Sequence, residues 1–239
     1  MSVLDRAVHV EHVMGTVLSL DVRDAVPDSA VREAVALLHR LDRLCSTYRA
    51  DSEVSRLRRG ELDLAGCDPD VRMAAGLCEQ ARQLTGGWFD AWAGGAFDPS
   101  GVVKGWAVER VAEVLSAAGS RRYSVNGGGD VAVGLGPEPG RPWRVGIADP
   151  LQPGRLLATL RLESGGVATS GTAARGRHVL DPLTGAPAQG LASVTVTAAV
   201  PPLSRTPLMI PGASAVVPTT SRLRTWTSPT LALTPSEGS

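Results

Sequence analysis

The 239-residue chain carries 24 Lys and Arg against 24 Asp and Glu, a formal net charge of zero, so no basic excess draws it to nucleic acid. With 43% hydrophobic and 20% charged residues it has the apolar side chains for a core and not the composition of a disordered chain. No apolar run approaches the roughly 18 residues of a bilayer span, and no basic patch followed by an apolar run opens the sequence, so the chain is read as cytoplasmic, with no membrane span. Cys45, Cys67 and Cys78 lack metal-type spacing, so buried or free thiols are expected.

In chain order, Thr16 to Val22 alternates with period two and predicts a strand, preceded by Met14-Gly15, where glycine permits close backbone approach. Asp28 is placed as the cap of a helix whose stripe is Val31, Ala34, Val35, Leu38, Leu41 and Cys45. Ser52 opens a short helix through Val54 and Leu57, and Asp68-Pro69 opens another that runs to Leu84 and stops at Gly86-Gly87.

The stretch Thr85 to Ala107 concentrates aromatics, two Asp and one Lys between glycines, in a chain otherwise poor in aromatics. It leads through Asp98-Pro99-Ser100-Gly101 into a helix with Val103, Ala107, Val111, Val114, Leu115 and Ala118 on one face. Free N–H groups and about half a positive charge at such a helix start suit a phosphate, with Lys104 one turn inside. Taken singly, each feature has a plain structural reading as a cap, a turn, a solvated lysine or core aromatics.

Past Gly119 the pattern turns extended: Tyr123–Asn126, Val131–Gly134, Trp143–Ala148, Leu156–Leu162, Gly166–Thr169 and Ala192–Thr197 read as strands separated by turn signals. Helices first and strands later predict a single α+β domain over residues 1–197 with a mainly antiparallel sheet. Asn126-Gly127-Gly128-Gly129-Asp130 is followed by a strand-like run, so it is not a dinucleotide loop, and Thr169-Ser170-Gly171-Thr172 lacks the lysine of an NTPase loop. From about Ala198 the chain becomes rich in Pro, Ser and Thr, with Glu237 as its sole acid; residues 198–239 are read as a largely disordered tail.

Seven motifs then fall in a recognisable order: MGTVLSLDV, STYRADSEVSRL, GGWFD, DPSGVVKGWAVERV, VNGGGDV with PWRVGIADP, VATSGTAARGRHVLDPLTGAP, and ASVTV. Over roughly Val8 to Thr197 this order closely resembles the FAD:protein FMN transferase family, formerly called thiamine biosynthesis lipoproteins. The resemblance implies FAD held by Met14, Tyr48, Trp88, Phe89, Asp90, Asp98, Lys104 and the backbone near Leu180. It implies a magnesium ion on the pyrophosphate with the Gly101 carbonyl as one ligand, His178 as candidate base, and an acceptor flavoprotein whose Thr hydroxyl takes the FMN while AMP leaves. Family members commonly work outside the cytoplasmic membrane. The family continues after the ASVTV-like strand into an Ala-Asp-Ala-x-x-Thr helix that completes the metal site. Here Ala198 to Pro211 stands in that place and no Asp follows Asp181. A frame change near Thr197 would account for this, and the expectation is weakened metal binding and impaired activity. A non-catalytic FAD-binding protein and an FAD hydrolase giving FMN and AMP are the alternatives.

Overall fold

Apolar alternation near the start of the chain folds it back on itself twice. The computed structural model describes residues 3–4, 7–171, 179–181, 184–187, 192–198, 214–219 and 222–227. Strand β1 (Val3–Leu4) is followed by β2 (Ala7–Val13), β3 (Thr16–Val22) and β4 (Val26–Pro27), with β1 paired to β4 and β2 to β3. The strand β2 lies outside the sequence expectation, because its outward residues include Val8 and Val10, both exposed, which blurs the alternation. On β3, Leu18, Leu20 and Val22 are 0–1% exposed, and burying each stabilises the fold by about 1.5–3 kcal/mol.

Helix α1 (Asp28–Cys45) buries the expected stripe except Val35, which the structure leaves half-buried, and adds Ala30. Its N-cap is Pro27 with no side-chain cap. Asp28 therefore sits inside the first turn and pairs with Arg32 one turn on, instead of capping. Helix α2 (Glu53–Arg58) is capped as expected, the Ser52 hydroxyl accepting from the Ser55 N–H at 3.0 Å. Helix α3 (Pro69–Leu84) has Asp68 accepting from the Asp70 N–H at 2.9 Å. Arg40 of α1 donates to Asp68 at 2.8 Å and to Asp70 at 2.9 Å, tying α1 to the start of α3. The expected glycine stop is present: Gly86 and Gly87 have φ of 60° and 91°, and Gly87 N–H donates to the Arg82 carbonyl at 2.8 Å.

Helix α4 (Ser100–Ala117) is buried more widely than one stripe, with Trp106, Val108 and Ala112 joining Val103, Ala107, Val111 and Leu115. The reason is its position: it packs on α1, α3 and the sheet strands β5 (Tyr123–Gly127) and β6 (Asp130–Val133). Val114 and Ala118, expected on the inner face, are only half-buried at its margin.

The chain continues through β7 (Trp143–Ala148), β8 (Leu156–Leu162), β9 (Gly165–Gly171), β10 (Ser193–Ala198), β11 (Ser214–Thr219) and β12 (Arg222–Thr227). Among the described residues the main sheet has eight strands in the order β12-β11-β10-β9-β6-β5-β3-β2, every neighbouring pair antiparallel. Strands β7 and β8 form a separate ribbon whose Trp143, Val145, Leu160 and Leu162 pack on Val131, Val133 and Val167 of the sheet. The expected α+β class with a mainly antiparallel sheet is thus the observed fold. Of the segment read as a disordered tail, the described residues are Ala198, which ends β10, and strands β11 and β12, β11 pairing with both β10 and β12; the rest lies outside the described residues. No helix among the described residues is long and apolar enough to cross a membrane. The three cysteines are buried and free, as expected, and burial pushes the thiols of Cys45 and Cys78 up to about 12.

Candidate functional site

The start of α4 is an exposed corner where three separate stretches of chain meet. Asp98 lies just before the helix, and its carboxylate accepts from the Ser100 N–H at 2.9 Å. Asp98, Ser100 and Gly101 are all exposed, so the positive end of the helix faces open space, although the N–H groups of Val102 and Val103 already donate to the Pro99 carbonyl at 2.9 Å. Gly101 is needed where it stands, because a Cβ there would lie 3.0 Å from the Phe89 ring. Phe89 is fixed in turn by its N–H donating to the Thr85 hydroxyl at 2.9 Å.

One turn into α4, the Lys104 ammonium sits 3.3 Å from the Asp130 carboxylate and donates to the Gly128 carbonyl at 3.3 Å. Both partners belong to the tight β5–β6 hairpin, whose two loop residues, Gly128 and Gly129, have φ of 61° and 103°. Gly128 packs so closely on β3 that an added Cβ would lie 2.5 Å from the Thr16 hydroxyl. On the other side the Gly129 carbonyl accepts from the Thr169 N–H of β9 at 3.1 Å, and the hydroxyls of Thr169 and Thr195 bond at 2.9 Å. Met14 and Gly15 form the hairpin turn that leads into Thr16, and Met14 has φ of 57°, a left-handed conformation a bulky side chain rarely adopts.

Beside this corner, α2, α3 and the segment before α4 enclose a cleft of about 210 Å³ lined by Leu57, Ala75, Cys78, Asp90, Trp92 and Phe97 among others. The Trp92 and Phe97 rings lie 5.2 Å apart and tilted by 37°. Asp90 faces this cleft while its carboxylate accepts from the Trp92 N–H at 2.8 Å.

Of the residues expected at the site, the structure brings together Phe89, Asp98, Gly101 and Lys104 around the corner, with Asp90 in the adjoining cleft and Met14 two residues before Thr16, which packs on Gly128. Trp88 is 44% exposed on the same loop. Tyr48 stands 93% exposed on the α1–α2 connection, and Leu180 bridges to Pro187; among the described residues no hydrogen bond joins either to the corner. His178 lies outside the described residues, beyond the end of β9 at Gly171. Sequence reasoning did not assign Asp130, Gly128, Thr16 or Thr169. The Asn-Gly-Gly-Gly-Asp run was the available signal: it forms the turn between β5 and β6 whose Gly128 and Asp130 contact Lys104.

No group of three or more His, Cys, Asp or Glu side chains that could hold a metal ion occurs among the described residues. Gly101 lies in the first turn of α4, and the carboxylate nearest Lys104, that of Asp130, is already engaged by its ammonium. Asp98 is the exposed carboxylate left at the corner itself, so the described residues offer magnesium one carboxylate there and not a clustered ligand set.

The family model described as the ApbE family matches residues 14–98 and 91–204. Among curated proteins, the chain is similar to the FAD:protein FMN transferase of Haemophilus influenzae, 37% identical over 113 residues covering 42% of this chain and 32% of the relative. It is also similar to that of Rhodobacter capsulatus, 36% identical over 107 residues covering 41% of this chain and 20% of the relative. The matched region thus spans a third or less of the length of these relatives. Among solved structures, the flavin transferase ApbE from Vibrio cholerae superposes with a TM-score of 0.77 at 20% identity, covering 93% of this chain and 97% of the other. The ApbE protein of Thermotoga maritima gives 0.70 at 22% identity, covering 81% and 82%; at these identities the likeness is one of fold. Since the family model accounts for most of the sequence and the solved members share its fold, the chain belongs to the ApbE family.

Proposed function

We propose that this chain is a flavin transferase, moving FMN from FAD to a Thr hydroxyl of an acceptor flavoprotein with release of AMP. The observation that carries this reading is the exposed start of α4 with Lys104 one turn inside, held toward the opening by the Gly128 carbonyl and Asp130. The positive end of a helix dipole and a positioned ammonium beside it suit a pyrophosphate. The aromatic cleft at Trp92 and Phe97 suits a flat ring next to that pyrophosphate, with Asp90 as an acceptor for ring or ribose donors. In the step itself the acceptor oxygen forms a bond to the FMN phosphorus, the bridging oxygen leaves with AMP, and the hydroxyl proton passes to a base, the role assigned to His178. The residues of this chain contribute orientation and charge: Asp98 fixes the helix entry, Phe89 braces Gly101, and Lys104 meets the phosphate oxygens. Magnesium, when bound, would spread charge on the transferring phosphoryl group.

Incubating the full chain with FAD, magnesium and an acceptor flavoprotein tests the reading. Flavin fluorescence on the denatured acceptor supports it, and its absence with FAD still bound sinks it. The lack of any Asp after Asp181 favours, as a second reading, a protein that binds FAD without transferring it. AMP release without acceptor labelling would instead mark hydrolysis to FMN and AMP. Titrating FAD with and without magnesium separates pocket from metal: equal affinity in both assigns binding to the protein side chains alone.

A further inference from the structure

A second opening lies at the far end of β3. Thr16 touches the Gly128 turn, whereas Arg23, just past the other end of the strand, reaches the ribbon β7–β8; seven residues of strand put about 20 Å between them. Here a cleft of about 930 Å³ is lined by Arg23, Arg141, Arg144 and Arg161, with Trp143 and Thr159 in its wall and Glu138 as its only carboxylate. Two of the four arginines have structural work. Arg23 pairs with Asp21 and lies 6.0 Å over the Trp143 ring, and Arg141 pairs with Glu138 at 3.0 Å.

Arg144 and Arg161 differ. They are partners across the ribbon, directly opposite each other on its outward face, while Trp143, Val145, Leu160 and Leu162 face the sheet. Both are exposed, and no ion pair or hydrogen bond of either side chain is found among the described residues. Like charges directly opposite on a strand pair destabilise it. In a chain of zero formal net charge this concentration is a cost to the fold that a negatively charged occupant would offset.

The geometry points to a docking cleft for an acidic, extended segment of polypeptide. In an extended chain, side chains at i and i+2 share a face about 6.6–6.8 Å apart, so successive carboxylates of such a segment point the same way, and each can meet a guanidinium fork two-pronged. A phosphate site of the usual kind would add a helix start or a nest of backbone N–H groups; the lining here is side chains on a two-stranded ribbon and a proline-flanked turn, Pro137 to Pro142. The proposal is independent of the flavin reading, and its test contains no flavin.

A fluorescein-labelled peptide of alternating Glu and Ser is titrated with the full chain in low-salt buffer and followed by anisotropy, with a Gln and Ser peptide as control. The expected result is binding of the Glu peptide alone, weakened tenfold or more in Arg144→Gln/Arg161→Gln, with inorganic tripolyphosphate competing no better than chloride at equal ionic strength. Thr159→Glu, which puts a negative charge in the same wall, weakens binding likewise and serves if the double variant is unstable. No binding by the unaltered chain, equal binding by the variants, or displacement by tripolyphosphate through the same two arginines would overturn the proposal.

Discussion

Lys104 is held by one carboxylate and one carbonyl, each at 3.3 Å, distances at which the ammonium is oriented but not saturated with short bonds. Replacing it with Ala should weaken FAD binding by about 1–3 kcal/mol, the worth of a charged hydrogen bond; calorimetric titration that finds unchanged affinity removes Lys104 from the site. Farther along α4, burial and then the neighbouring Glu113 push the Glu109 carboxyl up to about 7. The folded state therefore keeps this proton at pH values where the unfolded chain has lost it. Glu109 contributes stability that is fully present below the usual carboxylate pKa and is lost as pH rises through about 7. Glu109→Gln should flatten that fall between about pH 5 and 7 and raise stability at pH 8 by about 1–3 kcal/mol. Urea midpoints across pH check both the slope and its removal.

The turn between β2 and β3 shows what a local reading misses. Its two residues, Met14 and Gly15, have φ of 57° and 65°, the hairpin geometry for which Asn-Gly is the favoured pair. Met14→Asn should stabilise the fold by about 1 kcal/mol by relieving left-handed strain, while weakening FAD binding if the Met side chain touches flavin; thermal melts and FAD titration read the two effects separately. The left-handed backbone of Met14 was not legible in the sequence, since nothing in a single Met announces a positive φ. Capping at Ser52 and Asp68, the Gly86-Gly87 stop and the strands from Tyr123 onward were legible because each rests on neighbours within a few residues. The cap assigned to Asp28 failed because Pro27 takes the cap position. Asp130 was not legible as the partner of Lys104, because the pair forms only when the β5–β6 hairpin folds back onto α4, 26 residues away in sequence.

At the scale of the whole molecule, α4 is the element on which layers meet: α1 and α3 on one side, β5 and β6 on the other. Native-state hydrogen exchange should therefore find the slowest amides in β3, β5 and α4, whose side chains share the main core, and faster ones in the β7–β8 ribbon, which among the described residues pairs only with itself. Equal protection of ribbon and central strands would contradict this layering. The loop that seats Lys104 is itself clamped from β3 on one flank and β9 on the other, segments some 150 residues apart in the chain. Its local bonds, the β5–β6 pairing and the Asn126 side chain accepting from the Gly129 N–H at 3.3 Å, set the turn but not its place against α4, so ligand affinity depends on the whole sheet. It should vanish in the same narrow temperature interval in which the sheet melts, and no half-folded form should retain a weakened version of it.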